Sequence, residues 1–269
     1  MTARSLLVLG LLLLPATAAT AQPPATVFLE DLTWTELRAA VRGGTTTVIV
    51  PIGGTEQSGP HLALGKHNAR VRALAERVAR ELGNALVAPV IAYVPEGGLR
   101  PPTGHMRFPG TITVPGDAFR QTLESVARSV RLHGFRDVVL LGDHGGTQAD
   151  ERVVASRLNR EWASSPARVH AIEEFYRAAT AGFRELLKAR GYRDEELGPH
   201  AALPDTALTM ALAPALVRTP VREAPAPGEP TGVEGDPQRA SAELGRLGVD
   251  LIVTRTVAAI RESTQRRAR

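Results

Sequence analysis

The feature that most constrains this chain is a short apolar run that ends abruptly in a polar loop. Residues 48–52 are apolar and rich in β-branched side chains, which is typical of a strand buried on both faces. Two glycines follow at once, and the loop after them carries Glu56, His61 and His67. Open α/β sheets bind their ligands beyond the carboxyl ends of such strands. The loop therefore predicts a functional site.

Apolar runs and amphipathic segments alternate along the rest of the chain. The runs predict further strands at 85–94, 137–141 and 167–172, with amphipathic helices between them. Among the predicted helices, the first begins at a capping box of Thr33 and Glu36, two others cover 68–82 and 205–216, and the last begins with Asp236 as N-cap and Pro237 in its first turn. This alternation predicts a single α/β domain over residues 22–269, a three-layer α/β/α sandwich with a mostly parallel central sheet. The chain has no Gly-x-Gly-x-x-Gly, no Gly-Lys-Ser/Thr phosphate loop and no Gly-x-Ser-x-Gly elbow. Nucleotide-dependent and serine-hydrolase chemistry therefore have no motif to support them.

The first 21 residues have the pattern of a cleavable signal peptide. Arg4 precedes a short apolar core at 6–14, and Ala19-Thr20-Ala21 gives a small-x-small cleavage site. The apolar core is too short to span a bilayer as a permanent helix. We therefore expect a mature chain that begins near Gln22, is periplasmic or secreted, and is not bound to the membrane after cleavage.

Composition narrows the chemistry further. The 32 Lys and Arg against 28 Asp and Glu leave a formal charge of only +4, and the basic residues are scattered. This distribution gives no support to nucleic-acid binding. The chain has no Cys, which excludes disulfides, thiolate metal sites and cysteine nucleophiles. Any metal ion must be held by histidines, carboxylates and water.

Ionisable side chains follow each of the first three predicted strands. Parallel strands bring their carboxyl ends to one edge of the sheet, so these side chains are expected to converge there. They are Glu56 and His67, then His105, then Asp143 and His144, and a later segment adds His200 and Asp205. Imidazoles and carboxylates without thiols suit a hydrolytic Zn²⁺ site, with Mn²⁺ as the alternative.

Four ordered motifs resemble the creatininase family of metal-dependent amidohydrolases. The family pattern Pro-x-Gly-Ser-x-Glu-Gln-His-Gly-Pro-His-Leu-Pro is similar to residues 51–63, and a His before Phe-Pro-Gly-Thr is similar to 105–111. Asn-Gly-His-Gly-Gly-Asn is similar to 142–147, and His-Ala-Gly-Glu-x-Glu-Thr-Ser to 200–207. The resemblance covers about residues 32–253 and implies a creatininase-like fold. Relatives commonly form homo-oligomers, which the resemblance extends to this chain as an expectation.

The resemblance also implies two metal ions, and here the chain departs from the pattern. Family members use a Glu, a His, a bridging Asp and a later His and Glu as ligands. Glu56 and His144 keep their positions, whereas Ser58 replaces the first His and His67 replaces the bridging Asp. Leu203 replaces the first Glu of the late motif, and the second is shortened to Asp205.

These departures predict a rearranged site. Glu56, His67 and His144 would form an open three-ligand site for one metal ion, and Asp205 or Asp143 would complete it or hold a second ion. His200 matches the proton-transferring His of the family. His105 is the second candidate catalytic residue, and His61 and Ser58 would orient the ligands.

The predicted function is hydrolysis of non-peptide or cyclic amide C–N bonds in a small-molecule substrate. Metal-bound hydroxide would attack the carbonyl, and His200 would act as general acid. The alternative is an inactive family member that binds a small molecule or metal in the same cleft, because Ser58 and Leu203 remove two ligand positions.

Overall fold

The computed structural model describes residues 26–219 and 230–266. The predicted signal peptide and the predicted mature start at Gln22 lie outside these ranges, so cleavage before Gln22 stays a prediction.

The centre of the molecule is a four-stranded parallel sheet, which confirms the predicted fold class. Its strands are β1 (Thr47–Ile52), β2 (Ala85–Val87), β3 (Asp137–Gly142) and β4 (Arg168–Ala171). They lie in the order β2-β1-β3-β4, and every pairing is parallel. The second strand is shorter than the predicted 85–94, since beyond Val87 only isolated bridges at Ile91 and Val94 continue the pairing.

Helices cover both faces of the sheet. They are α1 (Trp34–Arg42), α2 (Lys66–Leu82), α3 (Gly116–Leu132), α4 (Gln148–Glu161), α5 (Glu173–Arg177), α6 (Phe183–Lys188), α7 (Leu203–Leu212) and α8 (Ala242–Arg266). The predicted capping box of Thr33 and Glu36 begins α1. Within the described ranges, no helix combines the length and apolarity needed to cross a membrane.

Two apolar cores lie on opposite sides of the sheet because side chains alternate along each strand. Val48, Val50 and Ile52 belong to the core that α3 and α4 cover. Ile49 belongs to the core formed with α2 and the helices after β4. All six residues of β1 are buried, which confirms the predicted central strand.

Two helix boundaries differ from the sequence-based expectation. Helix α7 begins at Leu203, earlier than the predicted Asp205, because Pro204 is well accommodated in a first helical turn. The last helix begins at Ala242, so the predicted helix start at Asp236 and Pro237 is wrong. The Asp236 carboxylate instead accepts the main-chain N–H of Gln238, which closes a local turn.

Candidate metal and catalytic site

A pocket of about 240 Å³ opens beyond the carboxyl ends of β1 and β3. Its walls come from the loops after these strands, from the start of α2 and from the segment that leads into α7. The charged and imidazole side chains in its wall are Glu56, Lys66, His67, Arg70, His105, Asp143, His144, His200, Asp205 and Glu234. The convergence expected for parallel strands is therefore present.

Three side chains of the pocket wall and the buried Glu96 could together hold a metal ion. One donor atom from each of Glu56, Glu96, His105 and His144 lies within 4.8 Å of the other three. The Glu56 Oε2 atom is 3.1 Å from His105 Nε2 and 3.2 Å from His144 Nε2. The Glu96 Oε2 atom is also 3.2 Å from His144 Nε2. Ligand atoms around a tetrahedral Zn²⁺ are separated by about 3.3 Å, since Zn–N and Zn–O bonds are about 2.0–2.1 Å.

The carboxylates of this group fit a cation because three of their oxygens have no hydrogen-bond partner in the described part of the chain. These buried atoms are Oε2 of Glu56 and both oxygens of Glu96. The side chains of Glu56 and Glu96 are 1% and 0% exposed. Buried polar atoms normally have partners, and leaving them without one is costly. A divalent ion would satisfy them.

Threonines of the segment after Phe-Pro-Gly hold both acidic loops in place. The Thr111 hydroxyl accepts the main-chain N–H of Gln57, and the Thr113 hydroxyl accepts that of Glu96. Gly54 leaves room for the second carboxylate, because a Cβ atom at Gly54 would lie 2.7 Å from Glu96 Oε1. The first glycine-rich loop thus shapes the position of a ligand from the next loop.

The two carboxylates have opposite pKa shifts. Burial raises the pKa of Glu96 to about 8, and the neighbouring Glu56 adds to the rise. Burial would also raise the pKa of Glu56, but contacts with His144 and His67 lower it. Burial lowers the pKa of His105, whereas the contact of His144 with Glu56 outweighs its burial and raises its pKa. Glu56 is therefore the charged acid of the pair, and Glu96 needs a cation to ionise.

Gln57 fixes the proton position on His105. The Gly59 N–H donates to Gln57 Oε1 at 3.0 Å, which sets the orientation of the amide. Its Nε2 atom then faces His105 Nδ1 at 3.0 Å and donates to it. A neutral imidazole that accepts at Nδ1 carries its proton at Nε2. The Nε2 atom of His105 therefore carries the proton and lies 3.1 Å from Glu56 Oε2, without the geometry of a hydrogen bond.

His200 stands beside His105, with ring centroids 4.5 Å apart. Its Nε2 atom is 3.0 Å from the carbonyl oxygen of Gln57, an acceptor, and 3.1 Å from the side-chain Nε2 of Gln57, a donor. Its Nδ1 atom lies 3.8 Å from Glu56 Oε1. Burial and the nearby Lys66 lower the pKa of His200 to about 4, so the ring is neutral at pH 7.

The backbone next to His200 is held in an unusual conformation. Ala201 has a φ of 53°, the left-handed region that non-glycine residues rarely adopt. Its N–H donates to Asp205 Oδ2 at 2.8 Å, and the carbonyl of His200 accepts the N–H of Glu234. These bonds fix the direction in which His200 enters the pocket.

The other side of the pocket is an ion-pair network. Arg70 bridges Asp205 Oδ1 at 2.7 Å and Asp143 Oδ2 at 2.9 Å, and Lys66 Nζ lies 3.2 Å from Asp205 Oδ2. The ring of His67 joins the two sides, with Nδ1 2.6 Å from Asp143 and Nε2 2.8 Å from Glu56. The burial of Asp143 and Asp205 would raise their pKa values, but the neighbouring cations lower both.

The predicted site residues thus fall into three places. Glu56, His144 and His105 lie in the possible metal-binding group, and His200 lies beside it. The predicted ligands His67, Asp143 and Asp205 lie in the ion-pair network, where all their donor atoms except Asp143 Oδ1 have partners. His61 is hydrogen-bonded to the Thr206 hydroxyl, and the Ser58 hydroxyl is buried without a partner among the described residues. Their assigned roles remain predictions.

Sequence reasoning did not assign three residues to the site. Glu96 was visible as an acid just after the second apolar run, in a loop rich in Gly and Pro. Lys66 and Arg70 gave no signal of their own, since Lys and Arg on a helix are normally solvated. Arg70 is adjacent to Val71 and shares the inward face of α2 with Leu74, which was the only hint of its burial.

The curated proteins that match this chain include a creatinine amidohydrolase and a peptidase. A creatinine amidohydrolase of Pseudomonas putida is 33% identical over 118 residues, which is 44% of this chain and 45% of that protein. A mycofactocin precursor peptide peptidase of Mycobacterium tuberculosis is 30% identical over 226 residues, 74% of this chain and 78% of that protein. The chain thus spans less than half of the first relative and most of the second.

Solved structures agree with the fold. A structure described as creatininase Mn has a TM-score of 0.71 and 26% identity, and a variant creatininase of Zn-Zn type has a TM-score of 0.70 and 27% identity. Each match covers 88% of this chain and 98% of the other. The model of the creatininase family, described as creatinine amidohydrolase, matches residues 30–260. This chain therefore belongs to the creatininase family of hydrolases.

Proposed function

We propose that this protein is a metal-dependent amidohydrolase that cleaves an amide C–N bond of a small molecule. One observation carries the proposal: three buried carboxylate oxygens lack hydrogen-bond partners in the described chain, and two of them, one from Glu56 and one from Glu96, lie 3.2 Å from His144 Nε2. Family membership supplies the reaction class, and the named relatives are a creatinine amidohydrolase and a precursor-peptide peptidase.

Glu56, Glu96 and His144 are the proposed ligands. The set replaces the predicted ligands His67 and Asp205, whose donor atoms are engaged in the ion-pair network. Catalytic zinc sites use three protein ligands and leave one position open. A bound Zn²⁺ or Mn²⁺ would lower the pKa of water and polarise the carbonyl of a substrate.

His105 and His200 are the proposed catalytic groups. The Nε2–H of His105 points into the space beside Glu56 and can donate to the oxygen on which charge develops. His200 is neutral at pH 7, so its unprotonated ring nitrogen can accept a proton from water and pass it to the leaving nitrogen. In this order His200 acts first as base and then as acid.

The dimensions of the pocket favour a small substrate. A cavity of about 240 Å³ is below the roughly 300–1,000 Å³ of pockets for drug-sized ligands. A non-peptide or cyclic amide of a few heavy atoms would fill it, whereas a long peptide could insert only one end.

A screen of cyclic amides, small linear amides and short peptides with Zn²⁺- or Mn²⁺-loaded protein tests the proposal. We expect turnover that chelation removes and metal addition restores. His200→Ala and His105→Ala should each lower kcat by about 10²–10⁴-fold while metal content stays unchanged. Metal binding with no turnover of any amide would instead favour the binding-protein alternative, and failure to bind either ion would overturn the proposal.

Export is a separate proposal. It rests only on the charged start, the apolar core and the small-x-small site within residues 1–21. Sequencing the amino-terminus of protein recovered from a secreting host would test it, with Gln22 as the expected first residue.

A further inference from the structure

The ion-pair side of the pocket stands where a two-metal enzyme would need more ligands. A creatininase of the same fold has been described as Zn-Zn type. In this chain the three ligands proposed for one ion leave few donors for another. The remaining carboxylates that line the described pocket wall are Asp143, Asp205 and the exposed Glu234.

Most of the donors around the second position are already used. Both oxygens of Asp205 contact cations, Oδ1 to Arg70 at 2.7 Å and Oδ2 to Lys66 at 3.2 Å. Asp143 Oδ2 contacts Arg70 and His67, which leaves Oδ1 as the oxygen of this aspartate without a hydrogen-bond partner among the described residues. Both ring nitrogens of His67 are in hydrogen bonds to carboxylates. A second ion would have to break these contacts.

Lys66 is placed where that ion would have to bind. Its side chain is 0% exposed, and Nζ lies between Asp205 Oδ2 at 3.2 Å and Glu56 Oε1 at 3.8 Å. A divalent cation that used the same two oxygens would approach the ammonium group within a few ångströms, in a poorly solvated space. Like charges repel strongly in such surroundings.

The charges also favour one ion over two. Glu56, Glu96, Asp143 and Asp205 supply four negative charges when ionised, and Lys66 and Arg70 supply two positive charges. His67 adds a third when it donates from both ring nitrogens to the carboxylates that it contacts. One divalent ion then leaves a net charge of plus one, whereas a second would leave plus three among largely buried groups, which is unfavourable.

We infer that this protein binds one catalytic divalent ion, and that Lys66, supported by Arg70, takes the place of the second. The inference rests on the proposed function and specifies its metal site. Lys66 would hold the carboxylates of Glu56 and Asp205 by its charge, as an ion between the same two oxygens would. Because the charge belongs to the polypeptide, it cannot be removed by a chelator.

Metal stoichiometry tests this inference without a substrate. Chelator-treated protein is incubated with excess Zn²⁺ or Mn²⁺, desalted and measured by elemental mass spectrometry. We expect one equivalent, and the Mn²⁺-loaded protein should give the electron paramagnetic resonance spectrum of an isolated ion. Two equivalents with a spin-coupled spectrum would overturn the inference and leave the proposed function intact. No bound metal would overturn the proposed function itself.

Three variants locate the ion and test the lysine. Glu96→Gln should lose the single equivalent. Lys66→Gln removes the buried charge and should allow a second equivalent, whereas Lys66→Arg keeps the charge and should bind one. A Lys66→Gln protein that folds, as judged by circular dichroism, but still binds one equivalent would show that Lys66 does not exclude the second ion. Should that variant not fold, the wild-type stoichiometry still decides.

Discussion

The two sides of the pocket contain the same kinds of acidic groups in opposite electrostatic conditions. On the ligand side, which Glu56, Glu96, His105 and His144 form, the buried oxygens of Glu96 have no hydrogen-bond partner in the described chain. Burial raises the pKa of Glu96 to about 8. On the ion-pair side, Asp143 and Asp205 contact Arg70, and their pKa values fall. The acids of the ion-pair side have cations of the protein beside them, with only Asp143 Oδ1 lacking a hydrogen-bond partner among the described residues, whereas both oxygens of Glu96 lack one. The difference separates what stabilises the fold from what binds the metal.

Removing the shared cation of the ion-pair side should give the largest loss of stability. Arg70→Met leaves two carboxylates without their bridging partner, and breaking a buried pair costs about 3–5 kcal/mol. Urea unfolding at pH 7 measures the change in the free energy of unfolding. Arg80→Met on the same helix is the matched control, since its exposed pair with Glu76 should contribute at most about 1 kcal/mol. Equal effects of the two variants would show that burial does not distinguish the pairs.

Removing a ligand from the other side should affect metal binding more than stability. His144→Ala takes away the nitrogen that contacts both Glu56 and Glu96. Loss of a partner outside the ligand shell lowers metal affinity by about 10–100-fold, so we expect a loss above about 100-fold here. Competition with a chromophoric chelator measures it. His133→Ala, at an exposed position after α3, should keep wild-type affinity. Retained affinity in His144→Ala would remove His144 from the ligand set.

Glu151, a buried acid outside both groups, tests how a carboxyl group without an ion pair in the described chain affects the free energy of unfolding. Burial raises the pKa of Glu151 from 4.5 to about 7, although the Thr147 hydroxyl donates to its carboxylate. A raised carboxyl pKa stabilises the fold fully below pH 4.5, and this contribution is lost as the pH rises to about 7. Glu151→Gln should therefore be more stable than wild type at pH 8 by roughly 2–3 kcal/mol, with no such gain at pH 4. Urea titrations at both pH values measure this, with the exposed Glu195→Gln as control. A pH-independent difference would contradict the assignment.

The sequence was sufficient to predict the strands and helices that follow a periodic pattern of apolar residues, and the site residues that these elements bring together. Residues 48–52 indicated a doubly buried strand, the apolar face of α2 indicated its packing, and parallel strands predicted that Glu56 and His144 would converge. The contribution of Glu96 was not predictable in the same way. Its position depends on the Thr113 hydroxyl and the open space at Gly54, neither of which follows from local periodicity. Likewise, Lys66 preceded the predicted helix, and only the position of Asp205 explains its burial.

The different pKa shifts on the two sides of the pocket also predict how metal binding responds to pH. Because the pKa of Glu96 is about 8, this carboxyl group holds a proton at pH 6–7 that a metal ion must displace. Binding at pH 6.5 should release about one more proton than binding at about pH 9, where Glu96 is already ionised, and wild-type affinity should rise by up to about tenfold per pH unit toward pH 8 from this group alone. The ion-pair side should contribute nothing to this slope, since Asp143 and Asp205 are already ionised. Calorimetry in buffers of different ionisation enthalpy counts the protons. Equal proton release at the two pH values would mean that Glu96 is ionised before the metal arrives, and the electrostatic distinction between the two sides of the pocket would then be lost.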